Sequence, residues 1–329
     1  MAIDGKSLAQ ARAALKEKKL HRERQFDEKL QAVYSELPAI KAIDEQLQAN
    51  MHELFAVALS PEKQYLIEEI RSKSLSLQEK RRAALAQAGY AENYLEDEYM
   101  CQSCRDSGYI ELEMCDCLMA IYKEKQISSL SNLFKLGGET FENFDLKYYS
   151  DTQAADTGIS PRHAMEIIFE TCKQYAQRFG ANSVSLFFNG SPGLGKTFLS
   201  ACIARVVSES GHSVVYDTAS SLFSKFEEAK FTRMDERAEP QEDANRALRC
   251  DLLIIDDLGT ELTTSFTVSA LYEIINTRLI TNKKTIVSSN LTIAELQSRY
   301  SEQIMSRLEG EYQVLTFRGE DIRKKRAAL

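Results

Sequence analysis

One stretch, residues 183–197, limits the folds open to this 329-residue chain more than any other. Residues 184–188 are rich in β-branched and aromatic side chains, which favours a β-strand. A glycine-rich loop follows, and then a run with the apolar spacing of a helix. The loop has the pattern Gly-x-x-x-x-Gly-Lys-Thr, and a strand before it and a helix after it are the setting that a phosphate-binding P-loop requires. Its residues are Gly190, Ser191, Pro192, Gly193, Leu194, Gly195, Lys196 and Thr197.

Each residue type in this loop has a chemical reason to be there. Glycines allow successive backbone N–H groups to face phosphate oxygens without a Cβ clash. The following helix adds free N–H groups and the positive end of its dipole. Lys196 supplies a positive charge to the β- and γ-phosphates, and the Thr197 hydroxyl is a ligand for Mg²⁺. We therefore expect the loop to bind ATP with Mg²⁺; the alternative is a glycine turn formed by chance.

A second motif completes the expected nucleotide site. Four apolar residues at 252–255 precede Asp256 and Asp257, which predicts a buried parallel strand with carboxylates at its C-terminal end. We expect Asp256 to hold Mg²⁺, directly or through water, and Asp257 to polarise the attacking water. Another strand-like run, residues 284–290, ends at Asn290. We expect this amide either to orient the attacking water or to touch the γ-phosphate; the alternative is an asparagine in a turn. Paired with the P-loop, these residues predict an α/β ATPase domain.

Four of the seven cysteines fall in one short window with the pattern C-x-x-C, ten residues, C-x-C. They are Cys101, Cys104, Cys115 and Cys117. We predict a bend at Gly108 and a strand at residues 109–112, which would bring the second pair back to the first. Four thiolates suit tetrahedral Zn²⁺ with no open position, so the metal would be structural and would replace a hydrophobic core. A redox dithiol and an iron–sulfur cluster remain alternatives, and Cys117 is the least certain ligand.

The N-terminal third has few helix breakers. Glycine and proline bound three long stretches, at 5–38, 38–61 and 61–89, in which apolar residues recur at helical or heptad spacing. Residues 60–62 have the N-cap and proline pattern of a helix start. The charges are balanced, as on solvated helices. We predict a coiled-coil-like hairpin or bundle that is either a partner-docking region or a spacer without a partner of its own.

Composition narrows the class of protein. The chain is 43% hydrophobic and 27% charged, which is ordinary for a globular protein. No apolar run approaches the roughly 18 residues of a membrane span, and the first residues lack the apolar core of a signal peptide. We therefore expect a cytoplasmic protein without a membrane partner. The net charge of −8 means that only a local basic surface would hold nucleic acid.

The expected order of domains follows from these motifs. We predict a helical docking region at 1–95, a four-cysteine zinc module at 96–135, a linker and entry segment at 136–160, and the ATPase domain at 161–329. The entry segment contains aromatic residues, which either pack against adenine or seal the edge of the domain. They are Phe141, Phe144, Tyr148 and Tyr149.

Together the motifs resemble the AAA+ ATPases of the bacterial helicase-loader group, DnaC and DnaI, and the IstB-like relatives that assist transposases. The resemblance covers residues 139–329, and the cysteine window with its preceding helices looks like the DnaI branch. It implies an AAA+ P-loop parallel sheet flanked by helices and preceded by a helical and zinc-binding region. The matching segments are residues 139–144, 190–197, 252–259, 288–291, 306–308 and 321–323.

The resemblance also implies roles for individual residues. Asn290 falls on the sensor-1 position and Arg323 on sensor 2. Arg307 falls on the arginine finger, which serves the ATP of a neighbouring subunit and so implies self-association or an oligomer assembled on a helicase. Gln303 stands where the family often has arginine, so the resemblance does not establish a second contact with the ATP of the neighbouring subunit. Asp257 stands where many AAA+ proteins have glutamate, and its shorter reach suits slow, switch-like hydrolysis.

In the loaders, the segment that corresponds to residues 221–233 approaches single-stranded DNA. Phe226 and Lys230 would stack on a base and neutralise a phosphate there. The alternative is a helix with Phe223 and Phe226 in the core and its lysines in solvent. Acidic residues at 235–243 weigh against DNA.

The leading hypothesis is an ATP-binding, slowly hydrolysing AAA+ switch that binds a replicative DNA helicase through its N-terminal region and helps to load it on single-stranded DNA. One alternative is an IstB-like transposition helper that binds duplex DNA and a transposase. Another is a zinc adapter that binds nucleotide without hydrolysis. The sequence leaves open the identity of the partner, the oligomer size, a chromosomal or mobile-element role, and whether the ATP or ADP form is active.

Overall fold

The computed structural model describes residues 3–59, 65–96, 98–131, 138–153, 158–232 and 238–327. Its Cα positions divide the chain into two compact units. One unit is Arg12–Leu118, and the other consists of Met1–Ala11 and Met119–Leu329. The predicted helix start at 60–62 and the first two residues of the predicted linker lie outside the described residues.

The N-terminal part of the chain is helical, as its lack of helix breakers predicts. Helix α1 spans Gly5–Glu36, α2 spans Pro38–Ala58 and α3 spans Ile67–Gln87. Pro38 occupies the first turn of α2, where its missing N–H leaves no hydrogen bond unmade. A small core joins these helices. It is formed by Val33, Ile40, Leu85 and Leu95.

Polar contacts also join α2 to α3. Asn50, the polar residue on the apolar seam of α2, donates its amide to Ser74 Oγ at 3.1 Å. Arg81 pairs with Asp44, with 2.6 Å between Nε and Oδ1. A short antiparallel hairpin follows, in which β1 (Tyr109–Ile110) pairs with β2 (Glu113–Met114).

The rest of the chain alternates helices with strands. After α4 (Asp116–Ser131) and two 3-10 turns (Phe141–Asn143 and Leu146–Tyr148) come α5 (Pro161–Gln177), β3 (Ser185–Asn189), α6 (Lys196–Glu209), β4 (Val214–Thr218), α7 (Ala219–Phe231), α8 (Ala238–Arg249), β5 (Leu252–Leu258), α9 (Ser265–Ile280), β6 (Lys284–Ser289), α10 (Ile293–Arg299), α11 (Glu302–Gly310), β7 (Tyr312–Thr316) and α12 (Ile322–Ala327). Across the described residues, none of the helices has both the length and the apolar character that crossing a bilayer would demand.

The strands β3 to β7 form a parallel sheet in the order β4-β5-β6-β3-β7. Apolar clusters lie on both faces of the sheet, which explains why its inner strands are continuously apolar rather than alternating. This arrangement confirms the predicted α/β fold class. The edge strand β7 was not predicted, because its buried residues stand at its first and fourth positions and so lack the two-residue alternation that signals a strand.

The strand order places the expected site residues side by side. β6 lies between the P-loop strand β3 and the acid strand β5. Parallel strands end at the same edge of a sheet, so the loop after β3, the acids of β5 and Asn290 after β6 converge there. The pairing of β5 with β6 shifts register between Ile255 and Leu258, and Asp257 adopts a left-handed backbone with φ of 55°. The two acids therefore stand on a bulge.

Candidate nucleotide site and cysteine cluster

The loop between β3 and α6 has a backbone that only glycine adopts easily. Gly193 and Gly195 have φ of 76° and 89°. A Cβ on Gly195 would lie 3.0 Å from the Tyr149 hydroxyl and 3.1 Å from the Phe144 ring, while one on Gly193 would overlap the Asp321 carboxylate. The loop thus has the strand–loop–helix form that the sequence predicts, and its glycines cannot be replaced without moving these neighbours.

Lys196 points back into the loop and is 5% exposed. Its Nζ donates to the backbone oxygens of Gly190 and Ser191 at 2.5 and 2.9 Å and to Asn290 Oδ1 at 2.7 Å. Burial lowers the pKa of Lys196 to about 8, although the nearby carboxylates of Asp257 and Asp256 act in the opposite direction. A buried ammonium held by neutral oxygens would gain a stronger, charged partner from a phosphate group.

Asp256 is buried and accepts three hydrogen bonds. Its Oδ2 accepts from Thr197 Oγ1 at 2.9 Å and from the Tyr216 hydroxyl at 2.6 Å, and its Oδ1 accepts from Ser288 Oγ. Burial, and then the Asp256 carboxylate, raise the pKa of Tyr216, so this phenol stays protonated and donates. A carboxylate beside a threonine hydroxyl supplies the oxygen ligands that Mg²⁺ prefers. The donor set fits magnesium at the expected position.

Asn290 bridges the lysine and the second acid. Its Nδ2 donates to Asp257 Oδ1 at 3.0 Å, while its Oδ1 accepts from Lys196. Burial raises the pKa of Asp257, and the neighbouring Asp256 carboxylate adds to the rise. Asn290 therefore engages two of the charged groups of the site, Lys196 and Asp257, which a mere turn residue would not do.

A cavity of about 250 Å³ opens beside the loop. Besides the loop and Asn290, its lining includes Asp257, Arg323 and aromatic residues from the entry segment. Tyr149 donates its hydroxyl to the Leu194 backbone oxygen at 2.9 Å, and the Phe144 ring stacks at 5.9 Å from the Tyr149 ring. Phe141 and Tyr149 both belong to the buried core, but Phe141 is absent from the cavity lining. Phe141 thus seals the domain edge, while Phe144, Tyr148 and Tyr149 line the cavity.

Arg323 and Arg307 occupy different places. Arg323 lies in the cavity lining, on α12. Arg307 is absent from that lining and lies on α11, where its Nη2 donates to Asn276 Oδ1 at 2.8 Å and its guanidinium lies 4.9 Å from the Tyr272 ring centre. Its Nη1 donates to the Gln303 backbone oxygen at 3.3 Å. Of these two arginines, Arg323 is the one placed to reach a nucleotide in the cavity of its own chain.

The predicted DNA-contact residues lie on α7. Phe226 is 8% exposed and packs in the sheet core with Phe223, as the alternative interpretation expects. Its ring is therefore not presented for stacking on a base. Lys230 lies on the surface, with Nζ 5.8 Å from the exposed Phe231 ring and 5.4 Å from the Phe266 ring. The end of the predicted segment, Arg233, lies outside the described residues.

The four cysteines of the window come together. Their Sγ atoms all lie within 4.8 Å of one another, with 3.7 Å between Cys101 and Cys115 and 3.4 Å between Cys104 and Cys117. A tetrahedral Zn²⁺ with Zn–S bonds of about 2.3 Å would separate the sulfurs by roughly 3.8 Å. The four thiols, Cys117 included, therefore fit one metal ion.

The hairpin that returns the second cysteine pair is tighter than predicted. The strand expected at 109–112 stops at Ile110, because Glu111, with φ of 53°, and Leu112 form the turn into β2. Gly108 is the bend, with φ of 79°, and a Cβ there would lie 2.8 Å from the Leu15 side chain. The part of the prediction that covers Glu111 and Leu112 is wrong, since the chain reverses within two residues.

Sequence reasoning missed Asp106, which lies beside the cysteines. This buried carboxylate accepts from the Cys101 and Met100 backbone N–H groups at 2.8 and 3.3 Å and pairs with Arg22 of α1 at 3.2 Å. Its position soon after a C-x-x-C turn was the available signal. The roles of Tyr216 and Ser288 were also missed, because both strands carry other polar residues and nothing in the sequence singles these two out.

Comparisons with known proteins agree with the nucleotide site. Residues 167–329 match the model of the family described as IstB-like ATP binding protein. The chain is 29% identical over 154 residues to the replicative helicase loader DnaC of Buchnera aphidicola subsp. Baizongia pistaciae, covering 46% of this chain and 62% of that protein. To the replicative helicase loader DnaC of Escherichia coli K12 it is 26% identical over 136 residues, covering 41% and 54%.

A crystal structure of the DnaC helicase loader aligns with a TM-score of 0.42 and 20% identity, covering 54% of this chain and 98% of that one. The chain spans between about half and three-fifths of the length of the two curated relatives. The family match and the two curated relatives confirm the resemblance to the DnaC loaders and IstB-like proteins over about half of the chain.

Proposed function

We propose that this protein, whose C-terminal half is similar to IstB-like ATP-binding proteins and DnaC helicase loaders, is an ATP-dependent switch that binds a replicative DNA helicase and helps to place it on single-stranded DNA. One observation carries the nucleotide part of the proposal. Thr197 Oγ1 lies 2.9 Å from Asp256 Oδ2, so the P-loop and the acid strand meet at one point.

ATP binding would exchange the internal partners of the loop for phosphate oxygens. The backbone N–H groups at the start of α6 and the Lys196 ammonium would hold the phosphates. Bound Mg²⁺ would supply charge neutralisation, with Thr197 and Asp256 as its protein ligands. Phe144, Tyr148 and Tyr149, which line the cavity, would contact the base. Arg323, in the same lining, would contact the phosphates.

Hydrolysis would depend on Asp257 and Asn290. Asp257 would accept a hydrogen bond from the attacking water, and Asn290 would orient the carboxylate through its 3.0 Å contact. An aspartate reaches one methylene less far than glutamate, and this carboxylate is also tied to Asn290. We therefore expect a turnover suited to a switch rather than to a motor.

Arg307 would act on the ATP of a neighbouring subunit. Its contacts to Asn276 and Tyr272 lie outside the cavity of its own chain, which agrees with a role in trans. Such a role needs self-association or an oligomer assembled on the helicase. Alanine at Arg307 should lower turnover in the assembled state and leave nucleotide binding by single chains unchanged.

The helical N-terminal unit would bind the helicase. The end of α2 exposes large apolar side chains, with Phe55 66% and Leu59 85% exposed. The cysteine hairpin would brace this unit, since Asp106 pairs with Arg22 of α1 and Gly108 packs against Leu15. Phe226 is buried, so single-stranded DNA would contact the surface around Lys230 or another part of the assembly.

A helicase-binding assay with the full chain tests the proposal. The chain is immobilised and titrated with the replicative helicase of its host, with ATP, ADP or no nucleotide. The variant Phe55→Asp should weaken binding at least tenfold. Ile280→Asp changes a similarly exposed apolar residue at the end of α9 and should bind as the wild type does. Failure of the wild-type chain to bind the helicase in every nucleotide state would refute the loader function.

The match to the IstB-like family favours one second candidate, a transposition helper with the same ATPase core. Competition between duplex and single-stranded DNA for the ATP-bound chain separates the two functions. A loader should prefer the single strand, and a transposition helper should prefer the duplex. The zinc adapter is the remaining alternative, and measurable ATP turnover that depends on Asp257 excludes it.

A further inference from the structure

Two strands present hydroxyl groups to the same carboxylate. β5 lies between β4 and β6 in the sheet. From β4, the Tyr216 hydroxyl donates to Asp256 Oδ2 at 2.6 Å, and from β6, Ser288 Oγ donates to Asp256 Oδ1. Asp256 is therefore held from both sides by residues of the rigid sheet, while Thr197 is its partner from the loop.

Ser288 has a second contact. Its Oγ accepts from the Asp257 backbone N–H at 3.0 Å, so one hydroxyl touches the carboxylate of the first acid and the backbone of the second. Asp257 has the left-handed backbone of the bulge, a conformation that carries strain in residues other than glycine. The Ser288 contact is one of the interactions that hold that conformation.

Burial makes these contacts consequential. Tyr216 is 7% exposed, Asp256 4% and Ser288 0%. A buried carboxylate that loses a donor has little access to water to replace it, and it either rotates or remains unsatisfied. Outer partners of metal ligands commonly fix ligand orientation in this way.

We propose that Tyr216 and Ser288 are positioning residues, which set the Asp256 carboxylate for the metal before nucleotide arrives. The inference rests on the proposed nucleotide function and assigns a different effect to each of the two hydroxyl groups. A phenol has one proton to donate, and Tyr216 donates it to Asp256, so this hydroxyl acts on metal affinity. Ser288 Oγ contacts both acids, so it acts on metal affinity and also on the placement of Asp257 for hydrolysis.

The test uses the full chain and Mn²⁺ as a paramagnetic substitute for Mg²⁺. Mn²⁺ affinity is measured by electron paramagnetic resonance in the presence of a saturating non-hydrolysable ATP analogue. Analogue affinity is measured separately in chelator without metal. Tyr216→Phe should weaken Mn²⁺ binding about tenfold, in line with the effect of outer partners at metal sites, and should leave metal-free analogue binding unchanged.

Ser288→Ala should weaken Mn²⁺ binding similarly and should also lower kcat at saturating metal by a larger factor than Tyr216→Phe does. The structure offers a matched control for each change. The hydroxyl groups of Tyr175 and Ser200 are buried and lack hydrogen-bond partners among the described residues. Tyr175→Phe and Ser200→Ala remove the same atoms from the same unit and should bind Mn²⁺ as the wild type does.

The outcomes separate the inference from the function on which it rests. Wild-type Mn²⁺ affinity in both Tyr216→Phe and Ser288→Ala overturns the inference and leaves the nucleotide site intact. Weakening in the control variants equal to that in the test variants also overturns it, because the effect would then be one of general packing. A wild-type chain that binds neither analogue nor metal overturns the proposed function itself.

Discussion

The nucleotide site and the cysteine hairpin are built on different physical principles. The nucleotide residues stand at the end of a five-stranded sheet whose apolar clusters fill both faces. The hairpin has two strands of two residues each, and its buried groups are mainly sulfurs and the Asp106 carboxylate. The sheet has a hydrophobic core of its own, whereas the hairpin has few buried groups besides its contacts to α1 and would need a metal to hold it.

The hydrogen bonds of the two regions support this contrast. In the nucleotide site hydrogen bonds from neighbouring protein groups hold Lys196, Asp256, Asp257 and Asn290 in place. In the hairpin the four sulfurs lie close to one another. Several thiolates packed within 4.8 Å would repel one another unless a cation lay between them.

The largest expected effect therefore follows removal of the metal that we propose for the four cysteines, zinc. Chelation, or the variant Cys104→Ser, should unfold residues 98–118, because binding of a structural zinc contributes on the order of 10 kcal/mol in small zinc modules. The measurement is metal content together with amide hydrogen exchange. ATP affinity should be unaffected, since the sheet has its own core.

A matched variant checks this expectation. Cys202→Ala removes a buried thiol from α6 and should keep one zinc per chain. Unchanged protection of residues 98–118 after complete metal removal would contradict the contrast between the regions. An iron–sulfur chromophore would leave that contrast in place but would contradict zinc as the metal.

The second prediction weakens the sheet instead. Phe187 lies in the middle of β3 and is fully buried. Phe187→Ala should lower the free energy of unfolding of this unit by about 3–5 kcal/mol, the usual cost of a large cavity. Denaturant unfolding of the full chain measures the loss. Zinc content should stay at the wild-type value; loss of zinc in this variant would show that the two regions fold as one.

Residues that act through local spacing were predictable from the sequence, and residues that act across strands were not. The glycines and Lys196 are neighbours in the chain, so their motif is visible without a fold. Tyr216 and Ser288 meet Asp256 only through the register of three strands, which the sequence does not display. Phe226 illustrates a different difficulty. Aromatic residues interleaved with lysines occur both in helices that pack on a core and on DNA-binding surfaces, so the sequence alone does not distinguish the two.

The third prediction removes the charge of one proposed catalytic residue while keeping the backbone of the nucleotide site unchanged. Asn tolerates the left-handed backbone that Asp257 adopts, so Asp257→Asn removes the charge and keeps the bulge. Turnover should fall about 100-fold, which is the low end of what a positioned acid or base contributes. ATP affinity and thermal stability should stay near wild type.

The rim of the cavity provides the control for this change. Asp145 is a carboxylate of the same lining, and Asp145→Asn should hydrolyse ATP at the wild-type rate. Unchanged turnover in Asp257→Asn would instead favour a protein that binds nucleotide without catalysis by this acid.

The smallest expected effect is that of a single hydrogen bond in the cavity wall. It tests whether contacts within the protein, rather than the bound nucleotide, hold the P-loop in place. Tyr149 is buried, and its hydroxyl donates to the Leu194 backbone oxygen in the P-loop at 2.9 Å. Tyr149→Phe removes this one bond, which should cost about 1 kcal/mol and lower ATP affinity about fivefold. Tyr148→Phe changes a neighbouring ring of the same lining and should bind ATP as the wild type does. If calorimetry finds equal affinities for both variants, the loop does not depend on Tyr149, and the ligand rather than the fold orders this part of the site.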